Sequence, residues 1–109
     1  MLREVIPSYF FQIEKAVKRG DLVSINHRLA GLLASYFDIV FAVNRELHPG
    51  EKRLVEKAVA SCKKLPEEME ADVTAVLSLS GSGEPALLER LDQMLDRLDA
   101  LLGAEGFDY

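Results

Sequence analysis

Apolar residues recur every three or four positions along most of this chain, which is the spacing of one face of an amphipathic helix. No stretch alternates apolar and polar residues as a half-buried strand does, and no Asn-Gly or Asp-Gly hairpin turn occurs. The spacing predicts helical segments at residues 2–19, 22–47, 51–64, 66–79 and 85–103. The connections are short, so consecutive helices should pack side by side in opposite directions. The sequence therefore predicts an all-α, up-and-down bundle of four to five antiparallel helices in one domain, 1–109, with a frayed tail at 104–109.

Glycine, proline and capping residues mark the predicted helix ends. Gly20 suits the left-handed position after the first helix, and Asp21 suits the N-cap of the second. Pro66 and Pro85 suit the first turns of the fourth and fifth helices, where a proline removes no helical hydrogen bond. Pro7 lies inside the first segment, so it marks either a kink or the true start of that helix.

The second segment is apolar around most of its circumference. Its apolar run at residues 29–43 includes Asp38 and is shorter than the roughly 18 to 20 residues that a membrane span needs. The three-four spacing continues to Leu47, which predicts a central helix that is contacted on several sides. Small residues such as Gly31 and Ser35 on its narrow polar stripe should let a neighbouring helix approach closely.

Composition narrows the class of protein. Hydrophobic residues make up 49% of the 109 residues, which is typical of a globular domain with one core. The net charge is -5 and the lysines and arginines are scattered, so the chain lacks the basic face that binds nucleic acid. The N-terminal residues show no signal-peptide pattern. We therefore expect neither a nucleic acid nor a membrane as partner.

Cysteine and histidine are too few for most site chemistry. The single cysteine, Cys62, cannot form an internal disulfide, which favours a reducing, cytoplasmic compartment. It lies on the apolar stripe of the third segment and is interpreted as a small core residue. With only His27 and His48 beside it, no usual zinc ligand set can be assembled, so no metal site is expected.

The stretch NRELHPGEK at residues 44–52 brings polar side chains together directly after the apolar run. Arg45 and His48 suit the negative end of a helix dipole, and Pro49 with Gly50 suits the break that follows. Asn44 fits this explanation less well, because it lies on a stripe that should be buried and a buried amide needs hydrogen-bond partners. It either bonds the backbone of a neighbouring turn or faces a cleft.

The order of residues in this stretch resembles a known kind of domain. The pattern is Asn44, Arg45, Pro49 and Lys52 after an apolar aromatic helix, with AVKRGD at 16–21 before it. It is similar to the helical domain found C-terminal to nucleotidyltransferase-like catalytic domains, as in the helical half of kanamycin nucleotidyltransferase. The likeness covers about two-thirds of the chain, from the first to the fourth segment.

The resemblance implies an accessory role in binding nucleotide or substrate. By likeness, Asn44, Arg45 and Lys52 would line the cleft that closes over nucleotide and acceptor, with Arg45 or Lys52 near phosphate. The Gly-Ser loop and the Asp-x-Asp motif of the catalytic domain are missing from this sequence, so the chain should not be catalytic alone. The implied partner is a nucleotidyltransferase catalytic domain or subunit. ATP with Mg²⁺ would belong to the complete system, and this chain would carry no cofactor by itself.

Two other hypotheses stay open. The leucine-rich last segment and the small residues Gly31, Ser35 and Ala42 are compatible with a dimerisation or protein-interaction module, including a homodimer. The segment His27-Arg28-Leu29-Ala30-Gly31 resembles the phospho-accepting segment of histidine phosphotransfer domains. In that family a lysine stands at the position that Ala30 occupies here.

Overall fold

The chain folds into five α-helices in a computed structural model that describes the backbone of residues 2–50 and 52–106 and the side chains of 6–50 and 52–106. The helices are α1 (Leu2–Lys18), α2 (Leu22–Val43), α3 (Leu54–Ser61), α4 (Met69–Leu79) and α5 (Ala86–Glu105). The described residues contain no β-strand, so the predicted all-α class is confirmed. None of these helices is both long enough and apolar enough to cross a membrane.

The turn between α1 and α2 forms as predicted. Gly20 adopts a left-handed φ of 67°, which costs glycine little because it has no Cβ. Its N–H donates to the Val17 carbonyl, and the N–H of Asp21 donates to the Ala16 carbonyl. The Asp21 carboxylate then caps α2, accepting from the Ser24 N–H at 3.1 Å and from the Ser24 hydroxyl at 2.7 Å. These hydrogen bonds, and then Arg19, lower the pKa of Asp21.

α2 is the central helix. Its buried residues lie on several of its faces, as the sequence predicts for a helix with apolar residues around most of its circumference. α1 packs along α2, and the two helices lie close together at Gly31, where an added Cβ would lie 2.7 Å from the Tyr9 ring. The small residue at position 31 therefore allows the close approach that its sequence position predicts. Pro7 lies within α1, so it does not start the helix.

Several helix ends differ from the sequence prediction; α3, for example, ends at Ser61 and not at residue 64. α2 stops at Val43, and Leu47 is 92% exposed instead of continuing the buried stripe. α3 and α4 start at Leu54 and Met69, later than predicted, because a left-handed residue precedes each of them: Arg53 at φ 54° and Glu68 at φ 59°. The predicted start at Glu51 lies outside the described residues.

The last helix continues beyond the glycine that was expected to end it. α5 runs through Gly103 to Glu105, and Gly106 ends it with a left-handed φ of 62°. A helix ends only where a residue leaves the helical region, and Gly103 does not. Residues 104 and 105 are therefore helical, whereas residues 107–109 of the predicted tail lie outside the described part of the chain.

α4 and α5 pack together around a buried ion cluster. Asp72 on α4 is 1% exposed and accepts two hydrogen bonds from Arg97 Nη1, at 2.7 and 2.9 Å. Arg90 Nη2 lies 3.0 Å from the same carboxylate. A buried carboxylate needs such charged partners to offset its lost hydration. Tyr36 of α2 is fully buried. Burial is the larger cause that raises its pKa, and the negative charge of Asp72 is the smaller one.

Candidate functional site at the C-terminal end of α2

The stretch singled out by the sequence begins with a helix-ending turn in which an arginine occupies the usual glycine position. Arg45 has a left-handed φ of 56°. Its N–H donates to the Ala42 carbonyl, and the N–H of Glu46 donates to the Phe41 carbonyl at 2.9 Å. This is the Schellman pattern, which most often uses glycine because a Cβ is strained in that conformation. The turn therefore holds a charged side chain at the cost of backbone strain.

Asn44 ties this turn to the segment between α3 and α4. Its Nδ2 donates to the Lys64 carbonyl at 2.7 Å and to the Val40 carbonyl at 2.8 Å, while its Oδ1 accepts from the Lys64 N–H at 2.8 Å. The amide thus satisfies backbone groups of its own helix end and of a segment twenty residues away. The side chain of Asn44 therefore bonds backbone, which is one of the two explanations offered by the sequence, and the residue also lines a cavity.

We call the hydrogen bonds of Asn44 with Lys64 and Val40 the Asn44 clamp. A cavity of about 580 Å³ opens beside it. Asn44 and Arg45 line one side, Lys63 and Lys64 line another, and Glu105 at the end of α5 contributes a carboxylate. Three separate parts of the chain therefore meet at one end of the bundle. The volume lies in the range of small-molecule pockets.

Positive charge slightly exceeds negative charge around the cavity. Three cationic residues, Arg45, Lys63 and Lys64, face two acidic ones, Glu46 and Glu105. Lys64 Nζ lies 2.8 Å from Glu105 Oε1, which neutralises that pair. Arg45 and Lys63 are exposed, and with Glu46 beside them they leave a net excess of one positive charge to attract an anion.

The predicted site residues are only partly brought together. Lys52 is exposed and is not among the residues that line the cavity. His48 folds back on α2, where its Nε2 lies 3.7 Å from Asp38 Oδ1 and its ring meets the edge of Phe41. Its Nδ1 accepts the N–H of Gly50 at 3.1 Å. The chain after Glu46 therefore leaves the cavity, and the second cationic wall comes from the α3–α4 segment.

Sequence reasoning missed Lys63, Lys64 and Glu105. The pair Lys63-Lys64 lies near the predicted end of the third helix, where basic residues are common for a purely local reason. They reach the cavity because Asn44 binds the Lys64 backbone, and no spacing pattern in the sequence predicts that contact.

The ion cluster of Asp72 was missed as well, although the sequence holds a signal for it. Asp72 lies three residues after Met69 and four before Val76, so it falls on the apolar face of α4. A carboxylate on a buried face requires cationic partners. Arg90 and Arg97 are separated by two helical turns on α5 and are the only residues found to supply them in the described chain.

Cys62 and His27 are the other two residues that the sequence offered for site chemistry. Cys62 is buried, as the sequence predicts, and burial followed by the charge of Glu46 raises the pKa of its thiol. His27 is exposed on α2. Within the described residues, no cluster of three or more His, Cys, Asp or Glu side chains is arranged to hold a metal ion.

Comparisons with known protein families, with characterised proteins and with solved structures give no match for this chain.

Proposed function

We propose that this chain is an accessory helical domain of a nucleotidyltransferase-type system, which binds nucleotide or substrate and is not catalytic alone. The observation that carries the proposal is the cavity at the end of α2, where Arg45 is held in a strained turn beside Lys63 and Lys64. Strained backbone positions cluster at binding sites, and of Arg45, Arg53 and Glu68, which share a left-handed φ, Arg45 is the one that lines this cavity. The resemblance of the Asn44–Arg45 stretch to helical domains of nucleotidyltransferases supports the same end of the bundle.

The proposed ligand group is a phosphate. A guanidinium binds phosphate through two parallel hydrogen bonds, and a lysine nearby adds a mobile charge. Asn44 takes a supporting role, since its amide holds the Arg45 turn against the Lys64 backbone. ATP with Mg²⁺ is the proposed nucleotide of the complete system, and the metal ligands would come from the catalytic partner.

The proposal also includes the direction of the helices and the cellular location of the chain. We take the helices to run up and down in alternating directions, since the connections are short and consecutive pairs α1–α2 and α4–α5 pack together. The proposed location is the cytoplasm, where the thiol of Cys62 would stay reduced.

The first test is a titration of the isolated chain with ATP and Mg²⁺, followed by backbone amide chemical shifts. We expect shifts at Asn44, Arg45, Lys63 and Lys64, and weaker binding in the double variant Arg45→Ala/Lys63→Ala. Lys52→Ala is the matched control, because Lys52 is cationic and exposed but does not line the cavity. Shifts that are absent from the end of α2, or that follow Lys52 instead, would contradict this site.

A dimerisation module is the alternative proposal. Some of the residues that suggested it make contacts inside this chain. Leu87, Leu91, Leu98 and Leu102 of α5 are buried in the core, and Gly31 is covered by Tyr9. Sedimentation over a range of concentrations tests it, and a strictly monomeric chain would count against it. Phosphotransfer through His27 is tested by incubation with phosphorylated donors, with His27→Gln as the control.

A further inference from the structure

A groove between α1 and α5 combines an apolar floor with an acidic rim. The apolar side chains are Ile6, Phe10, Phe11, Leu95 and Leu98, and the carboxylates are Glu14, Asp92, Asp96 and Asp99. We call this surface the acidic groove. It has a volume of about 390 Å³, and none of the residues that line it is a lysine or an arginine. It shares no residue with the cavity at the end of α2.

The groove is elongated along the two helices. On α5, Asp92, Asp96 and Asp99 lie on one face at four- and seven-residue spacing, and on α1 the lining runs from Ile6 to Glu14. Seven residues of helix correspond to about 10 Å, or two turns. An amphipathic helix uses anchors at i, i+3 or i+4 and i+7, so its apolar face matches a floor of this length.

The charge of the rim selects the occupant. Glu14, Asp92 and Asp96 have no ion-pair partner within the part of the chain that the structure describes. Among the described residues, Lys15 brings one cation to the Phe11 edge, and the carboxylates outnumber it, so the rim repels an anionic bilayer and a nucleic acid. It also opposes a second copy of this chain, which would meet the groove with its own net charge of -5. Basic residues flanking an apolar stripe complement it.

The exposed ring of Phe11, at the edge of the acidic groove, already contacts an ammonium group. Lys15 Nζ lies 4.4 Å from the centre of the Phe11 ring, and Phe11 is 54% exposed. A cation above an aromatic face is attracted by the ring quadrupole. A lysine or arginine of a partner can make the same contact on this exposed ring.

We propose that the acidic groove docks a basic amphipathic helix of a partner protein. The apolar stripe of that helix packs on Phe10 and Leu95, and its lysines or arginines pair with Glu14, Asp92 and Asp96. The proposal is independent of the nucleotide site, since the two surfaces share no residue and can be tested separately.

The test uses a fluorescent synthetic peptide with leucine at i, i+4 and i+7 and lysine at the remaining positions, and a scrambled peptide of the same composition. Fluorescence anisotropy of the full chain should show binding at least about tenfold tighter for the amphipathic peptide. Amide shifts should map to residues 7–14 of α1 and 92–99 of α5. Asp92→Asn/Asp96→Asn should weaken binding roughly tenfold, because two charge pairs are lost. Glu89→Gln, an exposed carboxylate on α5 outside the groove, should leave the affinity unchanged.

Each other outcome overturns the proposal. Equal binding of the scrambled peptide would show only unspecific attraction to an acidic surface. Affinity that is unaffected by Asp92→Asn/Asp96→Asn would place the peptide elsewhere. Concentration-dependent self-association that the same double variant changes would assign the groove to a second copy of this chain. Since both substituted residues are exposed, circular dichroism should confirm that the variant is folded.

Discussion

Asn44 and Lys64 bind each other's polar groups in both directions: the Asn44 amide donates to the Lys64 carbonyl at 2.7 Å, and the Lys64 N–H donates to Asn44 Oδ1 at 2.8 Å. The side-chain amide of Asn44 donates to and accepts from the backbone of one residue, as paired residues in neighbouring β-strands do. These two hydrogen bonds join the end of α2 to the segment before α4. The third bond of Asn44, to the Val40 carbonyl, closes the helix end at the same time. The clamp therefore shapes the cavity wall that carries Lys63 and Lys64.

Replacing Asn44 by alanine should destabilise the fold by about 2 kcal/mol, since three hydrogen bonds of modest net value are lost at a partly exposed site. Urea unfolding followed by circular dichroism measures the change. Asn26→Ala is the matched control, because Asn26 donates to the Leu22 and Ser80 carbonyls but accepts nothing in return. We expect about 1 kcal/mol for that variant. Equal losses for both variants would show that the reciprocal bond adds nothing.

Replacing Arg45 by glycine should raise stability while it weakens anion binding. Glycine relieves the left-handed strain of Arg45, which is worth about 0.5 to 1 kcal/mol after the greater freedom of glycine in the unfolded chain is counted. Arg53→Gly relieves a similar φ of 54° at a residue outside the cavity. It should therefore give a similar gain in the free energy of unfolding with no loss of ATP binding. A loss of ATP binding in both variants would show that the effect does not depend on the position of Arg45 at the cavity.

Replacing Asp72 by asparagine should destabilise the α4–α5 pair. Removing one partner of a buried charge pair costs about 3 to 5 kcal/mol when the remaining charge stays buried. Here the side chains of Arg90 and Arg97 are about one-third exposed and can turn toward water, so we expect a loss near the lower limit. Urea unfolding measures it, with the exposed Glu70→Gln on α4 as the control. A loss no larger than that of Glu70→Gln would mean that the cluster has no net stabilising effect.

Tyr36 should make the fold sensitive to alkali. Burial raises the pKa of its hydroxyl above the model-compound value of 10.0, so the folded state keeps a proton that the unfolded chain releases. The contribution to the free energy of unfolding is complete below pH 10 and falls as pH rises above it. Tyr36→Phe should remove this part of the decline. It should also be neutral or slightly stabilising at pH 8, because the buried hydroxyl has no hydrogen-bond partner in the described structure.

Urea unfolding at pH 8 and at pH 10.5 compares the two proteins. The loss of stability between these pH values should be smaller in Tyr36→Phe than in the unmodified chain. Lysines and the other tyrosines titrate in both proteins, so the difference between the two losses isolates position 36. Equal losses of stability in the two proteins would show that burial does not raise the pKa of the Tyr36 hydroxyl.

The sequence could predict those features that depend on neighbours within one or two helical turns. The three-four spacing of apolar residues gives the five helices, because each period places them on one face without reference to the rest of the chain. The Asp21 cap and the left-handed Gly20 follow for the same reason, since their partners are Ser24, Val17 and Ala16. The central position of α2 follows from its apolar circumference.

Only the tertiary structure decided which distant groups meet. Leu47 continues an apolar period but is exposed, because the turn at Arg45 ends α2 before the period does. Lys52 was named from its order in a motif, yet Lys63 and Lys64 line the cavity, since Asn44 binds a backbone segment twenty residues away. The pairing of Asp72 with Arg90 and Arg97 likewise depends on how α4 and α5 pack. Periodicity fixes the face of a helix, whereas the partner of that face is chosen by packing and by hydrogen bonds between segments far apart in the chain.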